Sequence, residues 1–230
     1  MAHIFGPVRS RRLGLSLGVD IVPAKFCTCN CIYCESGKTT SLTVDTKPYV
    51  TAGDIIPELR KRLGEIQGLS WITFSGAGEP TLNDNIGDII DAIKKETAVP
   101  VCVITNGTLL GSPEVRQRLM HADLVMPSYH TAIEATFKKI VMPHPKITLA
   151  SMTEGLVTFS KEFRGKLWIE VLVVAGYNDT DEEMRALKAV ISRVRHDAVC
   201  MNTVYRPPAF DSARPVDEAK LARFKEMLDA

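Results

Sequence analysis

The chain of 230 residues is 45% hydrophobic and 24% charged, and its formal net charge is +1. This composition is typical of a globular protein and excludes a largely disordered one. The near-neutral charge argues against an extensive nucleic-acid interface, which shows as an excess of clustered Lys and Arg, but it leaves a local one open. We expect one domain over residues 1–230, with the end at Ala230 either natural or followed by a missing carboxyl-terminal extension.

The cysteines of this chain point to metal or redox chemistry. No segment is apolar for long enough to span a membrane, and the first residues lack the apolar core and cleavage site of a signal peptide. We therefore expect a cytoplasmic protein with no membrane partner. Thiols stay reduced in that compartment, and four of the six cysteines lie between Cys27 and Cys34, so disulfides are not the expected use of this cluster.

Hydrophobic periodicity predicts strands and helices that alternate along the chain. The first strand is expected between Leu13 and Val22, where apolar residues alternate with small or polar ones. The later strands are expected at Trp71–Phe74, Val99–Ile104, Leu124–Met126, Leu167–Val174 and Val199–Val204. Helices are expected at Asp54–Ile66, Asn85–Lys95, Pro113–His121, within much of 133–163, at Thr180–Arg195 and at Pro215–Leu228.

Six strands that alternate with helices imply an α/β fold of parallel strands joined by right-handed crossovers. The chain is too short for a complete eight-unit barrel, so an open sheet and a partial barrel remain. In both, the loops at the carboxyl ends of the strands converge on one rim and form the site. The chemically distinctive residues follow the strands in this way, in the segments 27–34, 75–80, 105–107, 127–130 and 202–208.

Cys27, Cys31 and Cys34 stand in the spacing Cys-x3-Cys-x2-Cys on the loop after the first strand. A cubane iron–sulfur cluster held entirely by protein takes four thiolates, so three would leave one iron open to bind and activate another molecule. The alternative is a structural zinc site with Cys29 as the fourth ligand. Four thiolates within eight residues would strain the tetrahedron that zinc prefers.

The loop Gly76-Ala77-Gly78-Glu79-Pro80 follows the second strand. Its two glycines let a ligand approach the backbone, and its carbonyl oxygens together with the Glu79 carboxylate could accept hydrogen bonds from an ammonium group. The alternative is a tight strand-to-helix turn that binds nothing. The loop is not a phosphate-binding loop, because glycine-rich nucleotide motifs have a different spacing and usually contain a Lys.

The motif Cys27-x3-Cys31-x2-Cys34, with Tyr33 before the last cysteine, and the Gly-Ala-Gly-Glu-Pro loop after the next strand together resemble the radical S-adenosylmethionine (SAM) superfamily. The resemblance covers most of the chain. It implies a single radical SAM domain folded as a partial (β/α)6 TIM-like barrel. It also implies a [4Fe–4S] cluster on the three cysteines, whose open iron chelates SAM. Reduction by a donor of flavodoxin or ferredoxin type then cleaves SAM and yields a 5′-deoxyadenosyl radical.

The resemblance also assigns contacts to the cofactor. The methionyl amino group is expected at the glycine-rich loop, the adenine near Tyr33, and the carboxylate or ribose near Ser128 and Asn106, although both of these residues could instead cap or turn the chain. Glu170 lies in an otherwise apolar strand, so it is either a ligand contact or half of a structural ion pair. The candidate cofactor contacts are Tyr33, Gly76, Ala77, Gly78, Glu79, Asn106, Ser128, Glu170 and Asn202.

Three further motifs resemble a narrower group, the enzymes related to wyosine-base synthases of tRNA. They are Gly6-Pro7-Val8-x-Ser10-Arg11-Arg12-Leu13-Gly14, the Glu170 strand with Asn178-Asp179, and Asn202-Thr203-x-x-Arg206-Pro207. This similarity implies tRNA as a substrate. Within this sequence no cysteine precedes Cys27, so the additional cluster that archaeal wyosine enzymes build from upstream cysteines has no ligands here.

The substrate candidates are charged or titratable residues on the same loops. Arg9, Arg11 and Arg12 form a local basic patch that could bind phosphate or carboxylate, although short charge runs are often solvated surfaces. His130, together with His144, could face the substrate, and Arg206 could clamp an anion at the rim. The residues do not identify a general base.

Two other functions stay open at the level of sequence. One is an activase that installs a radical on a partner protein, and the other is a noncatalytic iron–sulfur or zinc-binding protein. The Gly-Ala-Gly-Glu-Pro loop argues against the second function, because a cluster carrier needs no pocket for a cosubstrate.

Overall fold

The computed structural model describes residues 2–229. Its strands are β1 (Ile4–Ser10), β2 (Gly14–Val19), β3 (Phe26–Cys27), β4 (Ser41–Leu42), β5 (Trp71–Phe74), β6 (Val101–Thr105), β7 (Leu124–Pro127), β8 (Lys166–Val173) and β9 (Ala198–Thr203). Its helices are α1 (Ala52–Glu65), α2 (Ile86–Glu96), α3 (Pro113–Leu119), α4 (Glu134–Ile140), α5 (Leu149–Glu162), α6 (Asp181–Ile191) and α7 (Glu218–Asp229). None of these helices is long and apolar enough to cross a membrane.

The main sheet has the strand order β1-β2-β5-β6-β7-β8-β9. All pairs from β2 to β9 in this order are parallel, and β1 is an antiparallel strand at the edge. The sheet therefore contains six parallel strands that follow one another in chain order and curl into a half-barrel, which confirms the expected partial (β/α)6 fold.

Burial along β8 shows the two faces of this sheet. Leu167, Ile169, Val171 and Val173 are fully buried, whereas Trp168, Glu170 and Leu172 between them are partly exposed. Successive side chains of a strand point to opposite faces, so the first set packs under the helices and the second faces the barrel interior. The polar Glu170 is thereby placed inside the barrel.

Short polar side chains fix the beginnings of the helices that cover the sheet. The backbone N–H of Thr51 donates to the Asp54 carboxylate at 2.8 Å, and the Thr51 hydroxyl donates to the same oxygen at 2.6 Å. Thr180 Oγ1 accepts from the N–H of Glu183 at 3.2 Å before α6. These bonds satisfy groups that a helix terminus leaves free, so the sequence itself sets the boundary.

Two features of the sheet differ from the sequence-based expectation. Strand β1 was not expected, because Pro7 and the basic residues that follow hide its pattern, and most of its residues are exposed. The strand expected at 13–22 is shorter, Gly14–Val19, and the segment after it leads into the short pair β3–β4 beside the cysteines.

The turn between β1 and β2 closes one end of the barrel. Leu13, in this turn, is 4% exposed and packs with the buried side chains of Cys102, Leu124 and Met126 inside the barrel. The partly buried Cys200 lies against the same cluster. Because this end is filled with apolar side chains, the polar residues of the interior lie toward the carboxyl ends of the strands.

Candidate active site

The cysteine segment is held in place by backbone hydrogen bonds to the carboxyl end of α4 and to the residues just after it. Asn30 N donates to Met142 O at 3.1 Å, and Ile32 N donates to Ile140 O at 2.9 Å. His144 N donates at 2.8 Å to the carbonyl oxygen of Thr28, the residue before Cys29. The segment between the first and last cysteine therefore has a fixed backbone on this side.

On its other side the cysteine segment pairs with the glycine-rich loop. Lys25 N donates to Ala77 O at 3.0 Å, and Glu79 N donates to Phe26 O at 3.0 Å. The structure thus brings the first cysteine and the Gly-Ala-Gly-Glu-Pro loop, which are separated by a whole helix in the sequence, into direct contact.

The thiols of the cysteine segment have different surroundings. Burial, followed by the nearby Glu79 carboxylate, raises the pKa of Cys27 to about 12. A hydrogen bond from the Cys29 thiol and another from the Tyr33 hydroxyl lower the pKa of Cys31 against the effect of its burial. Burial raises the pKa of Cys34. The sulfurs are therefore electrostatically coupled and lie close together.

Cys29 is placed differently from the other three cysteines. It is 1% exposed and belongs to the main hydrophobic core, whereas Cys27, Cys31 and Cys34 are partly exposed at its surface. Within residues 2–229, no three His, Cys, Asp or Glu side chains are arranged around one metal ion. Burial, and not this absence, distinguishes Cys29 from the three cysteines of the motif.

Both glycines of the loop are required by close packing. A Cβ on Gly76 would lie 2.2 Å from Cγ of Asp20, and a Cβ on Gly78 would lie 2.5 Å from the carbonyl oxygen of Phe26. Asp20 Oδ2 also accepts from Ala77 N at 3.1 Å. In the part of the chain that the structure describes, no protein N–H donates to the carbonyl oxygens of Gly76 and Gly78, so both can accept a hydrogen bond from a ligand.

Glu79 is a buried brace between two loops. It is 2% exposed and accepts from Thr105 Oγ1 at 2.6 Å and from Asn106 N at 2.8 Å. The N–H and the hydroxyl of Thr81 donate to it at 3.1 and 2.6 Å. Burial raises its pKa, and these hydrogen bonds oppose that effect. The buried carboxylate therefore links the loop after β5 to the loop after β6.

Asn106 brings the loop after β6 onto the first cysteine. Its Nδ2 lies 3.5 Å from Cys27 Sγ and donates to Thr28 Oγ1 at 2.7 Å. Its Oδ1 accepts from the N–H of Thr108 at 3.0 Å and from the hydroxyl of Thr108 at 2.7 Å. The side chain is held at both ends, so the N–H that faces the sulfur has a fixed direction.

A second polar cluster lies deeper in the barrel around Glu170. The carboxylate forms an ion pair with Arg12, accepts from Asn202 Nδ2 at 2.8 Å, and lies 3.4 Å from Ser128 Oγ. The side chains of Arg12 and Glu170 are 29% and 15% exposed. Of the two expectations for Glu170, the structure shows the ion pair. Three of the candidate site residues, Arg12, Asn202 and Ser128, meet at this carboxylate.

Tyr33 and His130 lie next to each other between the two clusters. Their ring centroids are 5.0 Å apart with an interplanar angle of 85°. His130 Nδ1 accepts from the N–H of Leu172 at 3.0 Å, and burial lowers the pKa of His130 to about 4. The imidazole is therefore neutral at neutral pH. A cavity of about 10 Å³, room for about one water, is lined by both rings, Asn106 and Ser128.

The remaining substrate candidates lie on the rim or outside the barrel. The guanidinium carbon of Arg11 lies 4.1 Å from the ring centroid of Tyr205, which is 51% exposed. Arg206 Nη1 lies 2.8 Å from Glu35 Oε2 in an exposed ion pair. His144 Nδ1 accepts from the N–H of Lys146 at 3.2 Å, so this imidazole caps a local turn.

Sequence reasoning missed several residues of this site. Asp20 orients the glycine-rich loop, Thr105 supports Glu79, and the Lys25 ammonium lies beside the cysteine segment. Asp20 had a usable signal, since it is an acidic residue at the carboxyl end of the first predicted strand. Thr105 and Lys25 had none, because their roles depend on partners that are distant in the sequence.

Comparison with known proteins identifies the class to which this barrel belongs. A sequence model described as the radical SAM superfamily matches residues 21–189. The crystal structure of a radical SAM methyltransferase from Sphaerobacter thermophilus has the same fold, with a TM-score of 0.71 and 18% sequence identity, over 93% of this chain and 63% of that one. The chain belongs to the radical SAM superfamily. Membership implies an enzyme whose cofactors are a [4Fe–4S] cluster and SAM.

Several proteins are similar to this chain in sequence. A UPF0026 protein of Methanocaldococcus jannaschii is 30% identical over 94% of this chain and 67% of its own length. The GTPase Obg of Brachyspira hyodysenteriae is 37% identical over 99% of this chain, which spans only 34% of that protein. The probable dual-specificity RNA methyltransferase RlmN of Rhodopirellula baltica is 27% identical over 89% of this chain and 55% of its own length.

Proposed function

We propose that this chain holds a [4Fe–4S] cluster on Cys27, Cys31 and Cys34, cleaves SAM reductively to a 5′-deoxyadenosyl radical, and acts on a nucleoside of RNA, with tRNA as the first candidate. The observation that carries this proposal is the convergence of three loops: the cysteine segment, the glycine-rich loop and the loop that carries Asn106. A structural cluster site would need no such neighbours.

The residues around the cysteines fit an anionic cluster. The three thiols come from one segment with a fixed backbone, and Asn106 Nδ2 points at Cys27 Sγ. The Tyr33 hydroxyl lowers the pKa of Cys31, and the charge of the buried Lys25 ammonium opposes the rise in the pKa of Cys34 that burial causes. Hydrogen bonds and positive charge near the sulfurs stabilise thiolates, which are the form that binds iron.

The glycine-rich loop fits the methionyl end of SAM. When bound, the cluster and SAM supply the electron transfer and the carbon–sulfur bond cleavage. Within residues 2–229 the carbonyl oxygens of Gly76 and Gly78 accept no protein N–H and would accept hydrogen bonds from the amino group, and their loop is hydrogen-bonded to Lys25 and Phe26 just before Cys27. Glu79 accepts hydrogen bonds from Thr105 and Asn106 at the end of β6, so its role is to fix the glycine-rich loop against that strand and to supply negative charge next to it.

The interior beyond the cysteines is suited to orient a polar substrate. Arg12, Glu170, Asn202 and Ser128 form one connected cluster, which presents charge and hydrogen-bonding groups at fixed positions. The neutral His130 and the ring of Tyr33 border it. These side chains would orient the polar groups of the substrate and exclude water, as the generation of a reactive radical requires.

RNA as the substrate class is supported by two observations. One relative in sequence is the RNA methyltransferase RlmN, and the motifs around Arg12 and Asn202 resemble enzymes that act on tRNA. On the rim, Arg11 stacks on the exposed ring of Tyr205, and Arg206 is also exposed. Arginine and aromatic side chains of this kind bind phosphates and unpaired bases.

The domain boundaries and the electron source belong to the same proposal. We assign residues 1–230 to one radical SAM domain, and this chain spans 67% of the length of the UPF0026 protein of Methanocaldococcus jannaschii. An external one-electron donor of flavodoxin or ferredoxin type would reduce the cluster.

Anaerobic reconstitution tests the proposed chemistry. The protein is loaded with iron and sulfide and incubated with dithionite and SAM, and 5′-deoxyadenosine is followed by chromatography. Cys31→Ala should lose both the cluster and the product, whereas the matched substitution Cys102→Ala, in the barrel core, should retain both. A fully loaded cluster without SAM cleavage would contradict the proposal. Product formation that rises with added tRNA, and not with unrelated RNA, would assign the substrate.

A further inference from the structure

One ammonium group beside the cysteines has no protein partner. Lys25 lies two residues before Cys27, and its Nζ atom is buried without a hydrogen bond to any of residues 2–229. Burying a charge is costly unless an opposite charge or hydrogen bonds compensate it. Within residues 2–229 no protein atom accepts a hydrogen bond from Lys25 Nζ. A bound anionic group would therefore compensate the buried charge.

The ammonium group of Lys25 lies against the turn that follows Cys34, the last cysteine of the motif. Gly37 N donates to Cys34 O at 3.1 Å and closes the turn that follows this cysteine. A Cβ placed on Gly37 would lie 3.4 Å from Lys25 Nζ, so the ammonium lies directly against the turn. Burial raises the pKa of the Cys34 thiol, and the charge of Lys25 is among the effects that oppose it.

The backbone of Lys25 is fixed on both sides. Its N–H donates to Ala77 O at 3.0 Å, and its carbonyl oxygen accepts from Thr40 N at 3.2 Å and from Ser41 N at 3.1 Å. Its φ angle is 67°, in the left-handed region, which residues other than glycine rarely adopt. The side chain of Lys25 therefore extends from a constrained backbone.

We infer that Lys25 raises the reduction potential of the cluster bound by Cys27, Cys31 and Cys34, and this inference rests on the proposed function. Three thiolates and a [4Fe–4S] core with two positive charges carry a net charge of about −1, and reduction adds one electron. A fixed positive charge in surroundings that exclude water stabilises the reduced form more than the oxidised form. Lys25 therefore acts as an electrostatic tuning residue.

The same segment contains a matched control for this effect. Lys38 is exposed, and its ammonium lies 4.6 Å from the ring centroid of Phe210. Substituting Lys38 changes the net charge of the protein by the same amount as substituting Lys25. Solvent and salt screen an exposed charge far more than a buried one, so its influence on the cluster should be small.

Redox titration followed by electron paramagnetic resonance tests the inference. Wild type, Lys25→Met, Lys25→Arg and Lys38→Met are reconstituted anaerobically, their iron and sulfide contents are determined, and the reduced cluster is measured as a function of potential without SAM. In Lys25→Met the ratio of reduced to oxidised cluster at a fixed potential should fall about tenfold, which is about 59 mV for a one-electron couple. Lys25→Arg and Lys38→Met should titrate like the wild type.

Three outcomes would overturn the inference. They are a fully loaded Lys25→Met cluster with the wild-type potential, equal shifts in Lys25→Met and Lys38→Met, and a Lys25→Met protein that takes up no iron while Lys25→Arg does. The last outcome would assign Lys25 to cluster assembly. If the wild type itself binds no cluster, the proposed function fails first, and the two failures are thus distinguishable.

Discussion

Arg12, in the turn of the β1–β2 hairpin, forms an ion pair with Glu170 on β8, 158 residues further along the chain. The pair crosses the interior of the barrel and joins the antiparallel edge hairpin to the fifth parallel strand. Asn202 on β9 donates to the same carboxylate at 2.8 Å. The interior of this half-barrel is therefore fixed by polar contacts as well as by the Leu13 cluster at its closed end.

The Arg12–Glu170 pair should contribute measurably to stability. Both side chains are mostly buried, so solvent screens the pair less than a surface ion pair, and we expect a coupling free energy of about 1–2 kcal/mol. A double-mutant cycle with Arg12→Met and Glu170→Met, followed by urea unfolding, measures this coupling. Additive effects of the two substitutions would contradict the expectation. The exposed pair Arg206–Glu35 offers a control cycle, with a smaller coupling expected.

His130 should make the protein sensitive to mild acid. Its pKa is about 4 in the folded protein because of burial, against 6.5 for an unperturbed histidine. Below pH 6.5 the unfolded chain binds a proton that the folded protein does not, so the free energy of unfolding falls as the pH drops from about 6.5 to about 4. The full loss attributable to this group is about 3 kcal/mol.

The substitution His130→Asn isolates this effect. The Asn oxygen can replace Nδ1 as acceptor for the N–H of Leu172, but the side chain does not titrate. Urea unfolding of both proteins at pH 7 and pH 4.5 should show a smaller loss of stability in His130→Asn. An equal loss in the two proteins would show that His130 is not responsible.

Thr105 should support the loops of the site through Glu79. Its hydroxyl donates to Glu79 Oε1 at 2.6 Å and accepts from Gly107 N at 3.1 Å. Thr105→Val keeps the shape of the side chain and removes both bonds, so we expect a loss of about 2–3 kcal/mol in the free energy of unfolding. Thr105→Ser retains the hydroxyl and should lose clearly less. An equal loss in both variants would assign the effect to packing of the methyl group.

Patterns local to the sequence predicted the parallel strands and the cysteine segment, because period-two alternation and ligand spacing need no knowledge of distant residues. Strand β1 was missed because Pro7 and the arginines after it interrupt the alternation. The loops were correctly expected on one rim, since the carboxyl ends of parallel strands meet there.

The partners of individual site residues were beyond the reach of these patterns. Glu79 was expected as an acceptor for a ligand, and the structure adds protein donors that the sequence did not indicate, Thr105 at the end of β6 and Asn106 just after it. Only the folded chain decides which of several nearby donors reaches a buried carboxylate. The same holds for Lys25, whose ordinary sequence context gives no indication that its ammonium is buried beside Cys34.

Gly78 provides a test of the contact between the glycine-rich loop and the cysteine segment. A Cβ at this position would lie 2.5 Å from both Phe26 O and Val22 Cγ2. Because one of these atoms belongs to the backbone, Gly78→Ala must push the loop away from the strand that ends at Cys27. We expect a loss of about 1–3 kcal/mol in stability and a lower iron content after reconstitution.

The same substitution at Gly64 separates this effect from a general cost of replacing glycine. Gly64 lies in α1, and apart from its chain neighbours and the backbone of its own helix, no atom lies within 4 Å of a Cβ built on it. Alanine in a helix costs less conformational entropy than glycine, so Gly64→Ala should stabilise the protein by about 0.5–1 kcal/mol and leave the iron content unchanged. Opposite signs for the two variants in urea unfolding are therefore expected. If Gly78→Ala instead loads iron like Gly64→Ala, the close contact between the two loops is not needed to assemble the cluster site.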